Sequence, residues 1–167
     1  TIADMLPLEQ ADGFPFHHIH ATGSFGKEWM PKRVEDNGVD WKNCPQLDIR
    51  EYIYNMPEVM AAADLVIGRA GSATCNELAA AGIPCVLIPS PNVTNNHQEK
   101  NARLLESGGG AVVMLEKDCT PQTLYDQIRQ LLSDDQRRGQ MARNLHAMAR
   151  LDSTERICDI VESLCKA

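Results

Sequence analysis

Short buried runs alternating with helical segments constrain this chain more than any other feature. Asp64-Leu65-Val66-Ile67-Gly68, Pro84-Cys85-Val86-Leu87-Ile88-Pro89 and Ala111-Val112-Val113-Met114-Leu115 lack the strict apolar and polar alternation of a half-buried strand. Such runs suit strands covered on both faces, as in a parallel sheet. Phe16-His17-His18-Ile19-His20-Ala21 is also extended in character and stops at Thr22-Gly23, and a further strand is expected around Leu47 to Ile53. Helices are predicted between these runs: Met56 to Ala63 after Asn55 as cap with Pro57 in its first turn, Ala73 to Ala81 closed by Gly82, and His97 to Ser107 closed by Gly108. Three more follow at Pro121 to Leu132, Asp134 to Ala149 and Ser153 to Cys165, and Thr1 to Leu8 reads as a helix at the start. The order implies an α/β fold: a Rossmann-like, doubly wound, mostly parallel sheet whose ligands bind beyond the carboxyl ends of the strands.

At 167 residues the chain suits one domain, expected over residues 1–167. Its formal charge of -7 argues against nucleic acid as a partner. No apolar stretch approaches the roughly 20 residues that span a bilayer, and no basic-then-apolar leader opens the chain. Cys44, Cys75, Cys85, Cys119, Cys158 and Cys165 form no C-x-x-C pair, and four of them sit in apolar or helical surroundings, which points to a reducing, cytoplasmic compartment. Thr1 opens the chain and no strand precedes the first apolar run, so part of a longer parent is expected to be missing. Loss of a strand would expose edge groups, making self-association an expectation.

Two loops carry the chemistry. The first, Gly68-Arg69-Ala70-Gly71-Ser72-Ala73-Thr74-Cys75-Asn76-Glu77, runs from a strand into a helix start through small residues. Gly71 lets another group approach the backbone, and the amides of Ser72, Ala73 and Thr74 would face an anion at the positive end of the helix dipole. The competing reading makes Gly71 a tight turn and Thr74-x-x-Glu77 a capping box that satisfies the same amides internally. In the second loop, Asn96, His97, Gln98 and Asn101 can both donate and accept, which suits sugar hydroxyls. A solvated turn with asparagine as helix cap fits the same residues.

Other candidates are weaker. Strand alternation puts His18 and His20 on one face and His17 on the other, so the three cannot meet one ion. No D-x-D pair marks a divalent ion held against a diphosphate, and no metal or cofactor is expected. Gly108-Gly109-Gly110 follows a helix and precedes a strand, the wrong end of a sheet for a ligand, and reads as a helix stop. No G-x-S-x-G elbow is present, and Arg137, Arg138 and Arg143 read as a solvated helix face.

Taken together, Tyr52-Ile53-x-x-Met56, then Ala63-Asp64-Leu65-Val66-Ile67-x-Arg69-x-Gly71-x-x-Thr74-x-x-Glu77-x-Ala79-Ala80-Ala81-Gly82-x-Pro84, then Pro89 and His97-Gln98-x-x-Asn101-Ala102 resemble the MurG family from about His20 to the end of the chain. These are the transferases that move N-acetylglucosamine from its UDP donor to lipid I, giving lipid II in bacterial peptidoglycan synthesis. The resemblance implies the C-terminal, donor-binding half of a GT-B enzyme. It implies that the Ile53 backbone meets the uracil edge with Met56 beside it, and that the Glu77 carboxylate accepts from the ribose hydroxyls. Arg69, Gly71, Ser72, Ala73 and Thr74 would lie near the diphosphate; His97 and Gln98, matching a Gln-Gln pair in some relatives, would contact the sugar with Asn101 in support.

The family's first strand and its Gly-Gly-Ser-x-Gly-Ala loop do not occur here, nor does the acceptor-binding N-terminal domain with its membrane-facing patch and expected general base. The resemblance therefore implies an inverting, metal-independent parent, peripheral on the cytoplasmic face of the bacterial plasma membrane, and a fragment inactive by itself. A transferase with another acceptor, or a nucleotide-binding module without catalysis, would present a similar donor half.

Overall fold

The computed structural model describes residues 1–166 and divides into two compact units. The first comprises Thr1–Ala63 and Leu115–Asp134, the second Asp64–Met114 and the chain from Asp135 onward.

In the first unit, β1 (His18–Ala21) and β2 (Leu47–Arg50) pair in parallel, His18 opposite Leu47 and Ala21 opposite Arg50. The strand expected to reach Ile53 ends at Arg50, because the ladder closes with the Thr22 amide on the Arg50 carbonyl and the Gly23 amide on the Glu51 carbonyl. Helices α1 (Ile2–Ala11), α2 (Gly23–Gly26), α3 (Trp29–Asp36), α4 (Met56–Ala62) and, from the later segment, α7 (Pro121–Leu132) complete the unit. α1 packs on α3 and α7. Its Ala3 and Leu6 meet Met30, Val34, Val39 and Leu47 in the core. α7 turns Leu124, Tyr125, Ile128 and Leu131 inward, and a reciprocal Thr120 and Thr123 cap starts it. α2 and α3 were not expected from sequence. α3 is eight residues long, carries Pro31 and buries only Met30 and Val34, too little apolar signal for a periodicity to register.

In the second unit, β3 (Val66–Gly68), β4 (Cys85–Leu87) and β5 (Ala111–Val113) form a parallel sheet in that order. Val66 lies opposite Cys85 and Cys85 opposite Ala111. All of β4 is buried, which is why its run lacks alternation. Helices α5 (Ser72–Ala81), α6 (His97–Ser107) and α8 (Asp135–Met148) pack in this unit, α5 against both α6 and α8 and α6 against β5. Gly82 ends α5 in the left-handed region at φ 65°, letting the Ile83 amide reach the Leu78 carbonyl. α9 (Ser153–Cys165) is exposed along its whole length. Gly68 and Leu87 end their strands level, so the loops after β3 and β4 leave the same edge side by side.

The six cysteines are free thiols. Burial pushes the Cys85 thiol up to about 12, so it packs as a small apolar group rather than as a nucleophile. No helix among the described residues is long and apolar enough to cross a membrane.

Candidate functional site

The second unit brings most of the expected residues to one edge. α5 begins at Ser72 with Gly71 as its cap, and no side chain caps it. The Cys75 amide makes the first helical bond, to the Gly71 carbonyl at 2.9 Å. The amides of Ser72, Ala73 and Thr74 therefore have no acceptor within the helix. The capping-box alternative fails on this geometry: Thr74 lies three residues inside the helix instead of at its cap, and Glu77 is exposed with no hydrogen bond or ion pair among the described residues. The tight-turn alternative fails too. Gly71 sits at φ -64°, open to any residue, and a Cβ added there would meet only Thr74 Oγ1, at 3.9 Å. The chain's own packing does not require glycine; the missing side chain leaves room beside the amides. Ala73 and Glu77, four apart and both exposed, share one face of α5, so the free carboxylate stands in line with a residue of the open amide end.

Arg69 donates from Nη1 to the Ile88 carbonyl at 3.2 Å, tying the loop after β3 to the end of β4. The next loop is held from α6. The Ser90 amide donates to Gln98 Oε1 at 2.9 Å, and Asn101 Nδ2 donates to the Ala70 carbonyl at 3.1 Å. His97 Nδ1 lies 2.9 Å from the Thr94 carbonyl, which makes Nδ1 the donor and leaves Nε2 facing outward as an acceptor in the neutral ring. Asn95 and Asn96 are both left-handed, at φ 54° and 52°, and Asn96 Nδ2 donates to Glu99 Oε2 at 2.6 Å. Each neutral polar group singled out from sequence thus commits one atom to the unit's own framework. Gln98 keeps Nε2, His97 keeps Nε2 and Asn101 keeps Oδ1.

Two expected residues belong to the first unit. Ile53 is buried as a whole residue, and its backbone amide and carbonyl have no partner among the described residues. Met56 opens α4 and is 38% exposed. Tyr52 and Tyr54 flank Ile53 as exposed rings in edge-to-face contact at 5.1 Å. A hollow of about 410 Å³ in the same unit, lined by Thr22, Lys27, Trp41 and Glu51 among others, holds none of the expected residues.

The histidine run falls as strand alternation required. His18 and His20 lie together, ring centroids 6.0 Å apart, and His17 is exposed. His18 Nδ1 lies 3.0 Å from the fully buried Glu9 carboxylate. Burial, with the neighbouring His18, lowers the His20 imidazole to about 4. Among the described residues no three His, Cys, Asp or Glu side chains are grouped to hold a metal ion.

Residues 1–157 match the glycosyltransferase family 28 C-terminal domain. The chain belongs to this family. As a family 28 C-terminal domain it is 42% identical over 166 residues to the UDP-N-acetylglucosamine--N-acetylmuramyl-(pentapeptide) pyrophosphoryl-undecaprenol N-acetylglucosamine transferase of Acetivibrio thermocellus, covering 99% of this chain and 43% of that protein. The Desulforamulus reducens protein of the same name is 37% identical over 146 residues, covering 87% and 39%. The chain thus spans less than half the length of these curated relatives. The crystal structure of Acinetobacter baumannii MurG superposes with a TM-score of 0.79 at 27% identity, covering 97% of this chain and 44% of that one. The family 28 fold here is that of the C-terminal half of a GT-B glycosyltransferase.

Proposed function

We propose that residues 1–167 form the donor-binding domain of a transferase that moves N-acetylglucosamine from UDP-N-acetylglucosamine to the muramoyl 4-hydroxyl of lipid I, giving lipid II and UDP. The observation that carries this reading is the start of α5: three unbonded amides beside a side-chain-free Gly71, with an unpaired Glu77 carboxylate on the same helix, in line with Ala73. The amides suit a diphosphate, since they bring partial positive charge and hydrogen-bond donors to one spot without a metal ion. A carboxylate able to accept two hydrogen bonds suits the paired hydroxyls of a ribose. His97 Nε2 and Gln98 Nε2 offer an acceptor and a donor for sugar hydroxyls, and the unpartnered amide and carbonyl of Ile53, with Met56 nearby in sequence, suit a uracil edge.

In this reading the acceptor oxygen forms a bond to the anomeric carbon as the bond from that carbon to the diphosphate oxygen breaks, inverting the centre. The proton leaves the attacking hydroxyl to a base outside this chain. The α5 amides stabilise the charge that grows on the departing UDP, a contribution stronger in the transition state than in the bound donor. Arg69, Ala73 and Thr74 shape that end of the site. The parent works at the cytoplasmic face of the plasma membrane, where its lipid acceptor resides, and the part carried here supplies donor binding rather than turnover. The named relatives support this assignment of donor and acceptor.

Calorimetry tests the reading directly. UDP-N-acetylglucosamine is expected to bind at least tenfold more tightly than its GDP counterpart, and EDTA is expected to leave that affinity within twofold. Equal affinity for the two nucleotides would overturn the assignment.

A further inference from the structure

We propose that Asn101 is a positioning residue for the diphosphate turn and not a contact to the sugar. The inference rests on the donor-binding reading and reassigns one of its residues. Asn101 is half-buried on the second turn of α6, and its Nδ2 donates at 3.1 Å to the carbonyl of Ala70, a residue with 0% exposure. That carbonyl shares a planar trans peptide with the amide of Gly71, so the two point in opposite directions. Turning the carbonyl toward α6 turns the Gly71 N–H away from it. That amide, like those of Ser72, Ala73 and Thr74, meets no acceptor among the described residues. One side-chain hydrogen bond therefore sets the orientation of the first of four successive open amides, the last three at the positive end of the α5 dipole. Gln98, three residues before Asn101 on the same helix face, grips the Ser90 amide in the neighbouring loop. α6 thus fixes both loops at the sheet edge.

Asn101→Asp keeps the shape but sets a carboxylate oxygen against the Ala70 carbonyl; Asn101→Ser loses the reach. Affinities for UDP and for UDP-N-acetylglucosamine, measured on both variants at a temperature where melting curves show them folded, separate the roles. If Asn101 positions the turn, both ligands weaken together by about tenfold and their ratio stays constant. Loss confined to UDP-N-acetylglucosamine would overturn the proposal in favour of a direct sugar contact. Lower melting temperatures with both affinities unchanged would overturn it in favour of a purely structural hydrogen bond. If Asn101→Asp does not fold, Asn101→Ser carries the same test. Failure of the unaltered protein to bind UDP would remove the donor reading itself and the proposal with it, whereas UDP binding weakened by Glu77→Ala but untouched by Asn101 substitution would remove this inference alone.

Discussion

On the donor-binding proposal, substitution of Glu77 separates binding from stability. Its carboxylate is exposed and unpaired, so Glu77→Ala removes nothing that holds the fold together. Losing a charge-assisted pair of hydrogen bonds to ribose is expected to weaken UDP binding by about 1.5–3 kcal/mol, roughly ten- to a hundred-fold, with an unchanged melting temperature. Calorimetry beside thermal denaturation checks both halves. His20 makes the opposite kind of prediction. Its folded value near 4 lies below the ordinary 6.5, so between those values the unfolded chain binds the proton that the folded one refuses. Stability is expected to hold above pH 6.5 and to fall as pH drops toward 4, by at most about 3 kcal/mol from this group. His20→Gln should flatten the pH dependence of the denaturation midpoint over that window. Asp4, held low by its hydrogen bond from Arg33, contributes below that range, where its protonation is costly. The place of Glu77 on the helix after β3 was legible because an Arg-x-Gly-x-x-Thr-x-x-Glu spacing leaves its residues little freedom once a strand leads into a helix. Whether it joins a cap was not legible. That turned on whether α5 is capped at Thr74 or at Gly71, a shift of three residues near a boundary, where local pattern is least informative.

Helices and strands were legible to the extent that their signals were local. α6, α7 and α9 begin and end where their caps and breakers put them, and β3, β4 and β5 sit inside the apolar runs. The strands came out shorter than those runs because burial extends past the ladder: Ile88 stays partly covered although β4 ends at Leu87. What no run could show was the use of Gln98 and Asn101 as struts, since their partners lie 8 and 31 residues away in the chain. The glycine run after α6 reads from sequence as a helix stop, and the structure gives a second reason for it. A Cβ on Gly110 would drive into the Leu145 side chain of α8, while Gly109 is left-handed at φ 73°. Gly110→Ala is expected to overpack that contact and cost about 1–3 kcal/mol, measured as a lower denaturant midpoint at unchanged slope.

At the scale of the molecule, ligand and fold are linked. A donor that binds only the folded state at a hundred times its dissociation constant should add about 2.7 kcal/mol, raising the melting temperature in proportion to the logarithm of ligand concentration. The same scan with Glu77→Ala should need more ligand for an equal rise. The exposed last helix has a different consequence. Ile157, Ile160, Val161 and Leu164 recur three and four residues apart on α9, and every residue from 150 to 166 lies open. A helix of this length gains little from its own hydrogen bonds in water. Brief digestion with trypsin should therefore nip the chain at Arg150 or Arg156 first, shedding a greasy strip and leaving a trimmed product that melts and binds UDP as the uncut one does.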